Sequence, residues 1–479
     1  MSTDPHGRAP RIGVFGIGLE AYWPQFPSLH ERLSGYLRSV EERLGAWGEV
    51  VSGGLVDSAE RAPAVGERFA QAQVDLLFVY AATYATSSVA LPIVQRAKAP
   101  VVLLNLQPTA SLDYEAMTTE EWLANCSACC VPELGGALTR ARIPYGVVSG
   151  VLSDDPRAWG EIGEWCRAAA AAHAVRNARL GFLGHTYPGM LDLYSDFTAV
   201  SGQLGSHIEV LEIDDLVKRA QEATTPQIAA KIEELRATFE FADAGRDPIA
   251  GELQPEDLQW SARVAVGLDS LVADFSLSAL TYYYRGVDGN EAERVTAGMI
   301  PGLSLLTARG VPCSGEGDLK NSLAMLTMNR LGAGGSYTEI YAMDLADNFM
   351  LLGHDGPMSL TIAEGRPVLR KLKLYHGKSG FGISVECTVK HGPVSILGMT
   401  QRADSQLKML LGEGESIPGP TFHIGNTNSR IRFGLDAASF VNRWTEQGPT
   451  HHCALGVGSQ AATLRKVGRL LDIETVTVA

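Results

Sequence analysis

The sequence predicts an α/β protein with two open parallel-sheet α/β domains, followed by a β-rich, antiparallel C-terminal domain. Three observations carry this. Short apolar runs alternate with amphipathic stretches through the first part of the chain, the β-α-β rhythm of a parallel sheet covered on both faces. That rhythm restarts near residue 176. Beyond about residue 335 it gives way to short period-2 segments separated by Gly and Pro turns. A chain of 479 residues exceeds one ordinary core. The expected division is 1–173, 174–334 and 335–479.

In the first part, residues 11–15, 75–80, 100–106 and 145–151 read as buried strands, with helical patterns such as 29–44 and 62–72 between them. Ligands of such sheets sit beyond the carboxyl ends of the strands. The loop Gly16-Ile17-Gly18-Leu19-Glu20-Ala21-Tyr22-Trp23, which follows the first strand, is such a place. Cys126, Cys129 and Cys130 cluster among small residues. No second Cys-x-x-Cys completes a zinc site, and a packed helix start is expected there.

In the second part, 179–183 is a strand with exit loop 184–190, 209–213 the next strand, 226–242 a polar helix and 261–280 a further helix. Residues 280–284 form a strand and 320–331 a helix, with Asp318 near its N-terminus. In the third part, 371–375, 382–390 and 394–400 read as strands and 459–471 as a closing helix. Ile383, Val385 and Cys387 alternate with Ser384, Glu386 and Thr388, as on a half-buried strand.

The net charge of −14, from 40 basic and 54 acidic residues, argues against a nucleic-acid surface and against docking on anionic lipid. No segment reaches the ~18 uninterrupted apolar residues of a membrane span. The first residues have no signal-peptide core and read as a disordered lead, so a cytoplasmic address is expected. Gly13-Val14-Phe15-Gly16-Ile17-Gly18 lacks the spacing of a dinucleotide fingerprint. The chain contains no P-loop and no nucleophile elbow.

Four residues in unusual settings carry the chemistry. Glu316 lies in Gly315-Glu316-Gly317-Asp318, where glycines allow close backbone approach; a solvated turn with an N-cap at Asp318 accounts for the same residues. Glu339 follows a glycine-rich stretch and is flanked by Tyr337 and Tyr341, a setting for a partly desolvated base or for a strand-end carboxylate. His354 is followed by Asp355, a possible partner for its second N–H, or is a turn histidine. His451 and His452 would point opposite ways on a strand, one toward a metal and one toward substrate or solvent. Two carboxylates and two imidazoles make a first shell for an ion of the manganese, cobalt or zinc type. The intervals of 23, 15 and 98 residues suit a site assembled from several loops rather than a finger. His185 and His423 read as structural.

At these positions the sequence resembles the L-arabinose isomerase family, within the L-fucose/L-arabinose isomerase fold group. Gly315-Glu316-Gly317-Asp318-x-Lys320 resembles the family's Gly-Glu-Gly-Asp-Trp-Lys, and the segment from Gly334 to Tyr341 its Gly-Gly-Thr-Ser-Phe-Met-Glu-Asp-Tyr. Leu351-Leu352-Gly353-His354 resembles Leu-Gly-Ser-His, and Gly448-Pro449-Thr450-His451-His452 resembles Gly-Gly-Ala-His-His. The resemblance implies two α/β domains and a barrel-like third. It implies an Mn²⁺ or Co²⁺ ion on Glu316, Glu339, His354 and His452, with the two glutamates moving protons in an aldose–ketose isomerisation through an enediol. It also implies a homo-oligomer with active sites near subunit interfaces, where the Glu20–Trp23 loop reaches a neighbour's site. Sugar contacts are expected at Glu20, Met190, Tyr284 and His451, with Tyr283 beside them. The chain departs from the family at Leu319 (Trp), at Ile340 (Asp), after His354 and in the first loop. Retained metal chemistry with an altered sugar shell follows, for a pentose, a hexose or a modified sugar. The competing readings are a non-catalytic sugar-binding or regulatory protein and a metal-dependent sugar lyase or epimerase.

Overall fold

The computed structural model describes residues 8–285, 289–372 and 382–479. Its contacts gather into two compact units, 1–173 and 174–479. The first unit is a five-stranded parallel sheet in the order Glu49–Val56, Arg11–Ile17, Leu76–Ala81, Val101–Gln107, Tyr145–Val151. The helices Leu29–Leu44 and Ala62–Ala72 stand at their expected bounds. Leu29, Leu33, Leu37, Val40 and Leu44 form the buried stripe that made the first of them readable.

The edge strand Glu49–Val56 was not foreseen, and its glycines explain why. Gly53 and Gly54 weaken the strand pattern, yet a Cβ on Gly53 would come within 2.8 Å of Phe15 and Phe69. Gly54 has φ +72° where the register against Arg11–Ile17 shifts. The helix Cys130–Arg140 starts in the cysteine cluster, with Cys126 and Cys130 buried. Cys129 departs from the packed expectation: it is exposed, 2.8 Å sulfur to sulfur from Cys126.

The second unit opens with a parallel sheet in the order Cys313–Ser314, Ala279–Tyr283, Arg179–Gly184, His207–Leu211. Three expected boundaries moved. Ile213 starts the helix Ile213–Glu222, because Glu212 and Asp215 form a capping box. The helix expected over 261–280 is Pro255–Phe275, ended by Ser276 in the left-handed conformation. The polar helix is Thr225–Thr238 rather than 226–242; Glu240–Phe241 instead pairs with Ala363–Leu372.

Beyond it, six strands close an antiparallel barrel. Its order is Gly392–Gln401, His452–Val457, Gly334–Asp344, Phe349–His354, Thr427–Phe433, Leu407–Ile417 and back to Gly392–Gln401. Closure removes the open edges that an antiparallel sheet otherwise presents. Ala363–Leu372 pairs with Gly382–Val389 in a small side sheet; residues 373–375 of the strand expected over 371–375 lie outside the described residues. The helix Leu319–Arg330 is buried from Leu319 to Met328 and packs on both the parallel sheet and the barrel. Among the described residues no helix is long and apolar enough to cross a membrane.

In the first unit, Asp75 joins the sheet to the chain around it. It accepts from the Arg11 backbone N–H at 2.7 Å and from Arg8 at 2.9 Å, and pairs with His173 at 2.8 Å. Burial pushes its carboxyl up, but His173, the Arg11 N–H and Arg8 outweigh burial and hold it below the usual range. A depressed folded pKa gives stability that is present above the ordinary carboxylate pKa and is lost as pH falls through the folded one. Asp75→Asn is therefore expected to lower stability at neutral pH by about 1–3 kcal/mol. In urea unfolding over a descending pH series, the gap to the parent protein should close below pH ~4.

Candidate metal centre

Strand register brings three of the four chemistry-bearing residues together. On Gly334–Asp344, Glu339 stands opposite His452 on one side and opposite Gly353 on the other, which sets His354 beside it. The fourth, Glu316, comes from the loop between Cys313–Ser314 and Leu319–Arg330. Its φ of +61° is unusual for a residue with a Cβ. Backbone bonds lock it there: Glu316 O accepts from the Tyr187 N–H at 2.9 Å, and the Gly317 N–H donates to Tyr282 O at 3.0 Å. Gly317 has φ +70°, and a Cβ there would lie 2.6 Å from His185 O and Thr186 Cα.

Two of the other side chains come close to one atom, His452 Nε2. His354 Nε2 is 3.2 Å away and Glu316 Oε2 3.4 Å. Glu339, His354 and His452 form one group whose donor atoms all lie within 4.8 Å of each other, and Glu316, His451 and His452 form another. His452 is fully buried and its Nδ1 donates to Asp318 Oδ2 at 3.0 Å, which turns Nε2 toward the cluster. The Tyr337 hydroxyl is 2.9 Å from the same Nε2, and its ring centroid is 4.0 Å from that of His354.

The electrostatics suit a cation. Burial, reinforced by His452, pushes His354 down to about 3, so it is neutral with a free nitrogen lone pair at physiological pH. Burial also opposes charge on His452, but Asp318 and Glu316 outweigh it and raise this imidazole to about 9. A cation at Nε2 would displace that proton. For Glu316, burial acts upward, and the neighbouring imidazoles of His451 and His452 override it and hold the carboxyl well below the usual range. Glu316 Oε2 is buried within ion-pair distance of two imidazoles yet accepts no well-formed hydrogen bond. A buried anionic oxygen left in that state is costly, and a divalent ion of the manganese, cobalt or zinc type fits the donor set.

The cluster forms one wall of a cavity of about 440 Å³, the size of a small-molecule site. Met190 and His451, two expected sugar contacts, line it. The His451 backbone N–H and Nδ1 both reach Asp192 Oδ2, at 3.0 and 2.7 Å, while Nε2 is 3.8 Å from Glu316 and 4.0 Å from Glu339. Tyr284 departs from expectation. Its hydroxyl accepts from Asn290 at 2.8 Å and its ring packs on the core of the parallel sheet; Tyr283 lines the cavity instead. Glu20 belongs to the first unit, where it opens the exposed turn Glu20–Tyr22. His185 bonds to Thr186 O, and His423 pairs with Asp247. Asp192 has no sequence signal of its own and is recognisable only through His451, which it touches.

Residues 195–334 match the family model of the L-arabinose isomerase central domain. The L-arabinose isomerase of Nocardioides sp. (strain ATCC BAA-499 / JS614) is 24% identical over 395 residues, covering 79% of this chain and 75% of the relative. That of Acidothermus cellulolyticus is 24% identical over 389 residues with the same coverage. That of Aeromonas hydrophila is 23% identical over 413 residues, covering 84% and 80%.

Two substitutions test this geometry. Asp318→Asn keeps an acceptor for the helix cap but removes the charge behind His452. It is expected to weaken Mn²⁺ binding about 10–100-fold in competition with a chromogenic chelator. Gly317→Ala forces a side chain into the left-handed region against the His185–Thr186 backbone. It is expected to cost at least about 1–2 kcal/mol in urea unfolding.

Proposed function

We propose that this divergent member of the L-arabinose isomerase family is an aldose–ketose isomerase that depends on a divalent ion held by Glu316, Glu339, His354 and His452. The observation that carries the proposal is that Glu316, and separately Glu339 with His354, group closely with His452 beside a sugar-sized cavity. The named relatives support the same reaction class. Mn²⁺ or Co²⁺ is the proposed ion, and the substrate is a pentose, a hexose or a modified sugar. A cytoplasmic homo-oligomer is proposed, with Glu20 of one subunit contributing to the site of a neighbour. The division at 334/335 is proposed as the border between the α/β part that carries Glu316 and the barrel that carries the other three.

When bound, the ion would act as a Lewis acid on neighbouring sugar oxygens and make the C–H beside the carbonyl more acidic. The rest is done by the chain. Glu316 and Glu339 form a proton-transfer pair: one carboxylate takes the proton from C2 of the open-chain aldose while O1 gains a proton to give the enediol, and loss of the O2 proton with return of a proton to C1 gives the ketose. Neutral His354 offers a lone pair without adding charge. Asp318 holds His452 in one tautomer. Asp192 holds His451 with Nε2 toward the cavity, where it can bond a sugar hydroxyl. The aromatic rings of Tyr337, Tyr282 and Tyr341 restrict water around the carboxylates.

The test is C2-hydrogen exchange in deuterated water, read by NMR over a panel of aldoses and ketoses. Metal-stripped protein should be inactive, and Mn²⁺ should restore exchange together with appearance of the partner ketose. Glu316→Gln should reduce exchange at least about 10²-fold. Unchanged metal content and turnover in that variant would overturn the proposal. Tight metal-free sugar binding without exchange would favour a binding protein, and an eliminated or epimerised product a lyase or epimerase.

A further inference from the structure

The first unit carries a pair of thiols that the metal chemistry does not use. Cys126 and Cys129 are in Cys-x-x-Cys spacing, and their sulfurs stand 2.8 Å apart. A disulfide needs about 2.05 Å, so the two atoms are within about 1 Å of bonding distance. The segment around them is pinned. Thr83 Oγ1 donates to Leu123 O at 2.7 Å, Thr109 Oγ1 to Asn125 Oδ1 at 2.8 Å and Asn125 Nδ2 to Glu121 O at 2.9 Å. Cys130 Sγ donates to Ala85 O at 3.3 Å, and the Cys130 and Val131 N–H groups both donate to Ser127 O. These bonds hold the pair against the loops that follow the strands Leu76–Ala81 and Val101–Gln107, at the carboxyl edge of the parallel sheet. That edge is where open parallel sheets take their ligands. Access is divided between the two sulfurs. Cys126 is 6% exposed, whereas Cys129 is open to solvent. Cys129 is also the N-cap of the helix Cys130–Arg140, a position that favours a thiolate. Glu133, in the first turn, is occupied by Ser87, whose N–H and hydroxyl both donate to it. Burial, reinforced by Cys129, pushes Cys126 up to about 12, so it stays a thiol.

We infer that Cys126 and Cys129 are a redox-active dithiol that reacts reversibly with small disulfides of the glutathione type. The exposed Cys129 is the attacking group and Cys126 the resolving one. Cys129, as thiolate, attacks one sulfur of the small disulfide; a mixed disulfide forms, and one small thiolate leaves and takes up a proton. Cys126 then attacks Cys129 Sγ and gives its proton to water; the Cys126–Cys129 bond forms and the second small thiolate leaves and is protonated. Two protein thiols are oxidised, and one small disulfide is reduced to two thiols. The reverse exchanges restore the dithiol. In a reducing compartment such a bond is transient and follows the thiol–disulfide balance. Tyr22, in the exposed turn Glu20–Tyr22, feels the same sulfurs: burial raises its hydroxyl, and Cys126, Tyr84, Cys129 and Cys130 raise it further. The inference is independent of the isomerase reading.

The experiment equilibrates the full chain in mixtures of reduced and oxidised glutathione. Acid quenching, alkylation of free thiols with iodoacetamide and tryptic digestion leave residues 99–140 as one peptide for mass spectrometry. The parent, Cys126→Ser, Cys129→Ser and Cys130→Ser are compared, with circular dichroism to confirm that each is folded. The expected result is a Cys126–Cys129 bond beside an alkylated Cys130, formed and reversed across the glutathione series. Cys129→Ser should lose both the bond and the mixed disulfide. Cys126→Ser should accumulate glutathione on Cys129, and Cys130→Ser should keep the bond. A mixed disulfide that persists on Cys129 of the parent overturns the inference, because Cys126 then fails to resolve it. A bond from Cys129 to Cys130, or between two copies of the chain, overturns it as well. So does a segment that stays reduced throughout the series. Oxidation of the buried Cys166, Cys313 or Cys453 in step with the pair would mark unfolding rather than a site, and also overturns it.

Discussion

The Asp318 carboxylate is fully buried and divides its oxygens between two layers of the second unit. Oδ1 accepts the Asn321 N–H at 3.0 Å and caps the helix Leu319–Arg330; Oδ2 accepts from His452 Nδ1 on the barrel. One charge thus starts the central helix, fixes the tautomer of the imidazole at the middle of the cluster and ties the parallel-sheet part to the barrel. Losing it would leave a buried helix end and a buried imidazole N–H without a partner, and each such group is expensive. Lys320 works in the same region. It is 1% exposed, and its ammonium donates to Leu193 O, Tyr194 O and Ser195 Oγ, which fastens the segment carrying Asp192 to the same helix. Burial lowers its pKa, opposed by Asp318 and Asp192.

The barrel delivers the remaining side chains by register. Pairing of Glu339 with both His452 and Gly353 is a consequence of three adjacent strands, and a one-residue slip would send the side chains to the other face. Close approach secures the register. A Cβ on Gly353 would lie 2.0 Å from Thr427 O, while Cβ atoms on Gly315 and Gly356 would crowd the Tyr337 ring at 3.0 and 2.9 Å. The glycines around the chemistry are therefore packing requirements, and they let an aromatic ring sit beside two imidazoles. The polar cluster itself is poor for stability without a cation, since carboxylates and imidazoles share a buried space. The geometry is held by its surroundings rather than by mutual attraction.

The regular elements were legible where one local rule prevailed. Leu29–Leu44 shows its stripe, and Leu76–Ala81 and Val101–Gln107 are apolar runs with clear ends. Elements were misread where neighbours overruled local pattern. Glu49–Val56 carries two glycines because Phe15 and Phe69 occupy the space beside Gly53. Pro255–Phe275 stops at Ser276 although helical periodicity continues, because the next strand must begin at Ala279 to pair with Arg179–Gly184. Tyr283 and Tyr284 are chemically alike as neighbours in the chain, and only their packing distinguishes the ring that lines the cavity from the half-buried one packed against the core.

By itself the sequence determined the α/β-then-β order, because periodicity and turn chemistry act over a few residues. It also offered the candidate donors, because two glutamates and two histidines in glycine-bounded settings are chemical facts of the chain. Tertiary structure alone decided that these side chains come close to His452, that Asp318 backs the His452 imidazole, that Asp192 holds His451, and that Phe422 and Ile424 face the cavity. Each of these depends on strand register or on contacts between segments far apart in the chain. Those follow from the packing of the whole unit and leave no mark at any single position.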